Sequence, residues 1–374
     1  MRLSAVDILF ESLRPSARFA PDVLTRCWMH LDVTRILILL EIEDASAWLG
    51  VCAAAAGVGL PHAVADAVRG AQRDAIVRRL MVEAEVARAA GALCAAGIDV
   101  ALIKGSARPY LADDALLLAR RPLDVDLLVE PGALDRSVRT LAAAGYKDAG
   151  HDVPAGHFHA RAMTAGSMFV ELHSSLSHAV TPEASWSSLA ADGRRVQLPS
   201  AEVWVPTLAE SAWHVALHQA NSGISWRRFR HIADAAALLR LLPSTELDRF
   251  FGRLAAAGGE AGRPDIDWWR RVAEFAGVSI SGLHVADRAE SLDTALHWEF
   301  FALRSAGWLG GRIHESATLA PYRSDYKRVG ESLPRRRSSL TRRALNNATE
   351  AVWKCFAWRR SIRYSPSDTV KQYG

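Results

Sequence analysis

The sequence predicts an α/β (α+β) fold: a small α/β core embedded in a largely helical chain. Short β-branched runs bounded by glycines cluster between residues 98 and 205. Before and after them, apolar residues recur at three and four spacings, the period of a buried helix face. From residue 323 the chain turns basic and rich in Arg, Ser and Pro. The expected division is a helical region over 1–97, an α/β core over 98–205, a helical domain over 206–322 and a basic tail with a terminal helix over 323–374.

Each element has a local reason. In 1–97, Val82, Val86, Ala90 and Leu93 share one helix face, and Gly59 with Pro61 marks a break between helices. Ile98 to Ile103, between Gly97 and Gly105, reads as a buried strand, and Leu123 to Val129 as a second. Pro131 and Gly132 open a helix that Gly145 ends. A hairpin follows, with one arm near His157–Met163, a turn within 164–167 and a second arm at Met168–His173. Thr207 can cap a helix running to about Gln219. Further helices fit Phe229–Leu242, Thr245–Ala257, Pro264–Ala276, Leu292–Ala306 and Leu340–Trp358.

Composition narrows the function classes. Of 374 residues, 50% are hydrophobic and 23% charged, which excludes a mainly disordered or fibrous chain. The four cysteines are scattered without a CxxC pair, against a disulfide framework or zinc knuckle and in keeping with a reducing, cytoplasmic setting. Residues 1–15 lack the layout of a signal peptide. The run Ile36–Leu40 is far shorter than the roughly 20 residues of a membrane span. Residues 323–374 hold 13 Lys/Arg and 4 Asp/Glu, a balance of +9, so the +4 of the whole chain leaves −5 for the rest. The basic character therefore belongs to the tail. Its Trp353, Phe356 and Trp358 lie among arginines, a pattern that suits an anionic partner or a helix packed on the body.

Chemistry concentrates at Asp124-Val125-Asp126. Residues i and i+2 of a strand share a face, so two carboxylates stand about 6–7 Å apart at the backbone. Such a pair in an apolar strand suits a hard divalent cation. Upstream, Lys104-Gly105-Ser106 ends the first strand, where backbone N–H groups at a helix N-terminus can face a phosphate. Downstream, Glu171 stands in Val170-Glu171-Leu172-His173 and supplies a third acid. Arg120 or Arg121 can clamp phosphate. His151, His157, His159, His173 and His178 crowd one region, where zinc binding, a substrate or phosphate contact and a structural role all stay open. A two-residue turn at Ala165-Gly166 would set Ala160 opposite Glu171 and put His157 and His159 on the other face; an odd-length loop would put them beside Glu171. His214 and His218, four apart on a helix, can form a hydrogen-bonded brace with Asp234 or line the nucleotide site.

These pieces, in this order, resemble the uncharacterised nucleotidyltransferase family of the DNA-polymerase-beta-like nucleotidyltransferase superfamily. The resemblance rests on Ala101–Gly105, Arg120–Val129, Ala144-Gly145-Tyr146, Val170–His173 and a helical stretch with His214, His218, Trp226, Arg227 and Asp234. It implies a small mixed-sheet nucleotidyltransferase core, bound Mg²⁺ (or Mn²⁺) and an NTP co-substrate, ATP above the others. Asp124, Asp126 and Glu171 would be the catalytic metal ligands. Lys104, Gly105, Ser106, Arg121 and His173 would meet the nucleotide. Two departures stand out: seventeen residues separate Ser106 from Asp124, and Ser174 replaces the tryptophan usual after the Glu-Leu-His triplet. The implied activity is nucleotidyl transfer to a hydroxyl acceptor, with tailoring of a peptide or small-molecule natural product ahead of transfer to RNA in the manner of toxin-like relatives. Kinase-type phosphotransfer and a non-catalytic nucleotide-binding scaffold are the alternatives.

Overall fold

A computed structural model describes residues 5–15, 19–31, 33–149, 160–165, 168–177, 180–222, 229–257 and 266–279. Five helices come first: α1 (Ala5–Ser12), α2 (Pro21–Trp28), α3 (Val33–Glu43), α4 (Ser46–Ala56) and the 34-residue α5 (His62–Ala95). Gly97, at φ +69°, closes α5 in the left-handed conformation that favours glycine, and Ile98 N–H returns to Leu93 C=O at 3.1 Å. This turn feeds the chain directly into β1 (Val100–Leu102), all three residues of which are buried.

The α/β segment continues with α6 (Lys104–Leu111), α7 (Ala115–Leu118), β2 (Asp124–Val129), α8 (Leu134–Ala143), β3 (Lys147–Asp148), β4 (Ala160–Ala165), β5 (Met168–His173), α9 (Pro182–Asp192), β6 (Arg194–Gln197) and β7 (Glu202–Val205). One mixed seven-stranded sheet results, in the order β3-β4-β5-β2-β1-β7-β6. The pairs β2/β5 and β1/β7 are parallel and the others antiparallel. The helices α10 (Leu208–Ser222), α11 (Phe229–Leu241), α12 (Ser244–Ala257) and α13 (Ile266–Phe275) complete the described chain. Thr207 caps α10 as expected, its hydroxyl accepting from Glu210 N–H at 3.1 Å.

The strand period of two divides the sheet faces. Val125, Leu127, Val129, Val170 and Leu172 pack in one cluster with Val82, Val86, Leu93 and Leu141 of α5 and α8. The alternate residues, Asp124, Asp126, Phe169, Glu171 and His173, therefore look the other way, toward the side on which α6 and α10 lie. The helices at the two ends of the described chain are not separate layers. They share a second core in which Trp48 meets Phe229 edge-on at 6.0 Å and Phe229 meets Phe275 at 6.2 Å. Glu43 accepts a hydrogen bond from Phe229 N–H at 2.7 Å and joins α3 to α11 across 186 residues of sequence. Among the described residues, no helix is long and apolar enough to cross a membrane.

The hairpin has the even loop parity, in a register shifted from the Ala165-Gly166 case. Ala165 pairs with Met168, so the connection is Gly166-Ser167, and Ala162 rather than Ala160 stands opposite Glu171. The even loop length is kept; the turn sits one residue later, which moves the partner strand by two. His151, His157, His159, His178, Trp226, Arg227, the helices expected at 292–306 and 340–358, and the basic tail lie outside the described residues.

Candidate active site

Parallel pairing of β2 with β5 builds the site. The register sets Asp124 beside Phe169 and Asp126 beside Glu171, with His173 two residues further on. Four polar side chains thus converge on one sheet face from two adjacent strands. Ser106, in the first turn of α6, locks β2 from below: its buried hydroxyl accepts from Asp126 N–H at 2.8 Å. Ile103 N–H donates to Asp126 C=O at 3.3 Å, so both backbone polar groups of this residue are held.

Lys104 reaches into the cluster from the β1–α6 junction. Its Nζ lies 2.7 Å from Asp126 Oδ1, 3.5 Å from Glu171 Oε2 and 3.3 Å from His173 Nε2. The same imidazole nitrogen lies 3.1 Å from Asp126 Oδ1 and 3.3 Å from Glu171 Oε2. One ligand atom each from Asp126, Glu171 and His173 falls within a 4.8 Å circle, a grouping able to hold a metal ion. Asp124 is outside that closest trio, although it shares the face.

The charges are strongly perturbed. Burial raises the Asp126 carboxyl, but the Lys104 ammonium and the His173 hydrogen bond outweigh it and hold Asp126 far below the usual carboxylate range. Glu171 is likewise drawn down: its His173 hydrogen bond and Lys104 overcome burial and the repulsion of Asp126. Asp124 goes the opposite way. Burial and the negative charges of Asp126 and Glu171 push it up to about 7, against the pull of Lys104 and Arg120. A carboxylate starved of positive charge beside two ionised acids is the donor chemistry that a divalent cation relieves, so these residues fit one.

A second ionic group stands next to the acids. Asp234 of α11 pairs with Arg108 of α6 at 2.6 Å and with Arg120 just before β2. Burial pulls Arg108 down to about 10 and Arg120, crowded further by Arg108 and Arg230, to about 9; both stay charged at neutral pH. Arg121, expected at the nucleotide, instead meets Asp74 of α5 at 3.1 Å and Asp44 at 3.7 Å. The brace expected from His214, His218 and Asp234 does not form. Asp234 is engaged by the two arginines, and the buried His214 Nε2 has no hydrogen-bond partner among the described residues. Burial, aided by Lys104, keeps His214 well below the usual range and His218 down to about 4, so both imidazoles are neutral.

Two features escaped the sequence reading. Arg108 was legible as the residue one turn after Lys104 on the same helix face. Phe169 is 51% exposed on the site face although it sits in a strand of apolar residues; only the register shows which face it takes.

A family model described as an uncharacterised nucleotidyltransferase matches residues 31–261. No curated protein matches the chain. Among solved structures, the chain is similar to an antigenic nucleotidyltransferase-like protein from Paracoccidioides brasiliensis, at 16% identity and a TM-score of 0.33, over 53% of this chain and 93% of that one. The family match spans more than half of the chain and contains every strand of the sheet, both acids of β2 and the third on β5, so the chain belongs to the uncharacterised nucleotidyltransferase family.

Proposed function

We propose that the protein is a Mg²⁺- or Mn²⁺-dependent enzyme that moves a nucleotidyl group from an NTP, ATP foremost, to the hydroxyl of a small molecule or peptide. The observation that carries this is the placement of Asp124, Asp126 and Glu171 on one sheet face, two strands apart in sequence but adjacent in space, with Lys104 against them. Asp124, Asp126 and Glu171 hold the metal, which when bound supplies charge neutralisation for the attacking and leaving oxygens. Ser106 and His173 act on the acids rather than on the substrate, fixing the Asp126 backbone and the two carboxylates. Lys104 and Gly105, at the start of α6, are the phosphate contacts. Arg120 takes the part first expected of Arg121. Phe169, half-exposed beside Asp124, offers the flat apolar surface on which an acceptor can lie.

In the reaction the acceptor oxygen forms a bond to the α-phosphorus, the bond to the bridging oxygen of pyrophosphate breaks, and the acceptor proton leaves to a carboxylate of the cluster. The test is incubation with Mn²⁺ and ATP labelled on the α- or the γ-phosphate, with panels of hydroxylated small molecules and peptides as acceptors. Label from the α-position in the acceptor, abolished by EDTA, is the expected result. Label from the γ-position alone would make the protein a kinase and overturn the reading.

A further inference from the structure

Lys104 stands where a cation should stand. The residues that group as a metal site, Asp126, Glu171 and His173, are the three around its ammonium, with Asp126 Oδ1, Glu171 Oε2 and His173 Nε2 at 2.7, 3.5 and 3.3 Å. A lone pair of either carboxylate oxygen can point at one positive centre at a time. The backbone supports the same placement. Lys104 is at φ +47°, one of two non-glycine residues with positive φ among those described. That conformation is unfavourable for a lysine and persists where the surroundings enforce it. It occurs at the step from β1 into α6, next to the Ile103 and Ser106 contacts that clamp this turn to β2.

The residue type matters as well. The chain has 5 lysines among its 45 basic residues, so arginine is its habitual cation. The three buried or half-buried arginines nearby, Arg108, Arg120 and Arg121, are all tied to carboxylates outside the acid cluster. At the one position inside the cluster the chain uses a compact ammonium on a flexible four-carbon stem. An ammonium imitates a metal ion among converging acceptors, and its stem can rotate away; a planar guanidinium does neither.

We infer that Lys104 is a positioning residue that acts as a built-in placeholder cation: it keeps Asp126, Glu171 and His173 together before metal arrives, is displaced from them by the divalent ion, and then meets the nucleotide phosphates. The inference rests on the metal-dependent reading above. It makes an opposed pair of effects in one variant. In Lys104→Met, Mn²⁺ added alone binds about tenfold more tightly, because no resident charge has to be expelled. A Mn²⁺ complex of a non-transferable ATP analogue binds about tenfold more weakly, because the phosphate contact is gone. A lysine that only braces the fold would weaken both.

The experiment is a titration of wild type, Lys104→Met and Lys104→Arg with Mn²⁺ by electron paramagnetic resonance, each with and without the analogue. Lys104→Arg is expected to lose Mn²⁺ affinity and not to restore wild-type behaviour. Equal or weaker Mn²⁺ binding by Lys104→Met overturns the placeholder and leaves the metal site standing. No Mn²⁺ binding by any of the proteins overturns both. A measurement on the wild type alone covers the case in which the variants fail to fold: acetylation of Lys104, followed by peptide mass spectrometry, should be slow without metal and rise severalfold at saturating Mn²⁺. Reactivity that is unchanged or lowered by Mn²⁺ refutes displacement.

Discussion

Asp124 and Asp126 are the same residue type two positions apart, yet their surroundings drive them in opposite directions, and substitution should separate them. Asp124 is pushed up to about 7. Its neutral form is therefore favoured by folding, and the stability this confers is complete below about pH 4 and gone once pH has risen through about 7. Asp124→Asn should thus raise the stability of the metal-free protein at pH 8, by about 1–3 kcal/mol after allowance for its partial exposure, and change little at pH 4. Thermal or urea unfolding at the two pH values checks this. Asp126 is held ionised by Lys104 and His173. Asp126→Asn breaks a compensated buried charge and should cost about 2–3 kcal/mol in the same assay, besides abolishing Mn²⁺ binding. The sequence alone showed two like charges on one face and implied relief when either is removed; the ammonium that reverses this for Asp126 comes from 22 residues away in sequence.

Elements are held to the site by ion pairs as much as by apolar contact. Asp234 links α11 to α6 and to the segment before β2 through Arg108 and Arg120. Its side chain is 4% exposed, so Asp234→Ala leaves two largely buried guanidinium groups facing each other without the carboxylate they share. The expected cost is about 3–5 kcal/mol, measurable as a lower urea midpoint with an unchanged slope. Several elements were legible in the sequence: the glycine-bounded strands, the helix closed by Gly145, the Thr207 cap and the three helices between 229 and 276 follow local rules that hold wherever the segment is placed. The hairpin register was less so. A loop within Thr164–Ser167 admits neighbouring turns of equal length that leave Met163, Met168 and Val170 on the same core face, so alternation cannot choose between them; in the observed turn the Thr164 hydroxyl donates to Met168 C=O at 3.0 Å.

At the scale of the whole molecule, the described side chains named at the site come from residues 104–234, while the basic excess lies beyond residue 322. Shortening the chain at residue 322 should leave Mn²⁺–ATP affinity unchanged within about twofold, and should weaken acceptor binding and flatten its salt dependence if the acceptor is polyanionic. Isothermal titration at two salt concentrations reads both. The helical ends of the described chain merge into one core around Trp48, Phe229 and Phe275, so substitutions in α1–α4 will be felt in α11–α13.

By itself the sequence determined the class of fold, the strands that carry the acids, and the placing of two like charges on one strand face, because period, capping and like-charge spacing are local properties. It also carried the family resemblance. The tertiary structure alone decided which cations answer those acids. Lys104 rather than an arginine enters the cluster, Asp234 serves Arg108 and Arg120 rather than His214, and Arg121 turns away to Asp44 and Asp74. Long charged side chains sweep several ångströms about their backbone, and their partners are set by which elements pack together, a non-local outcome that no spacing within one segment encodes.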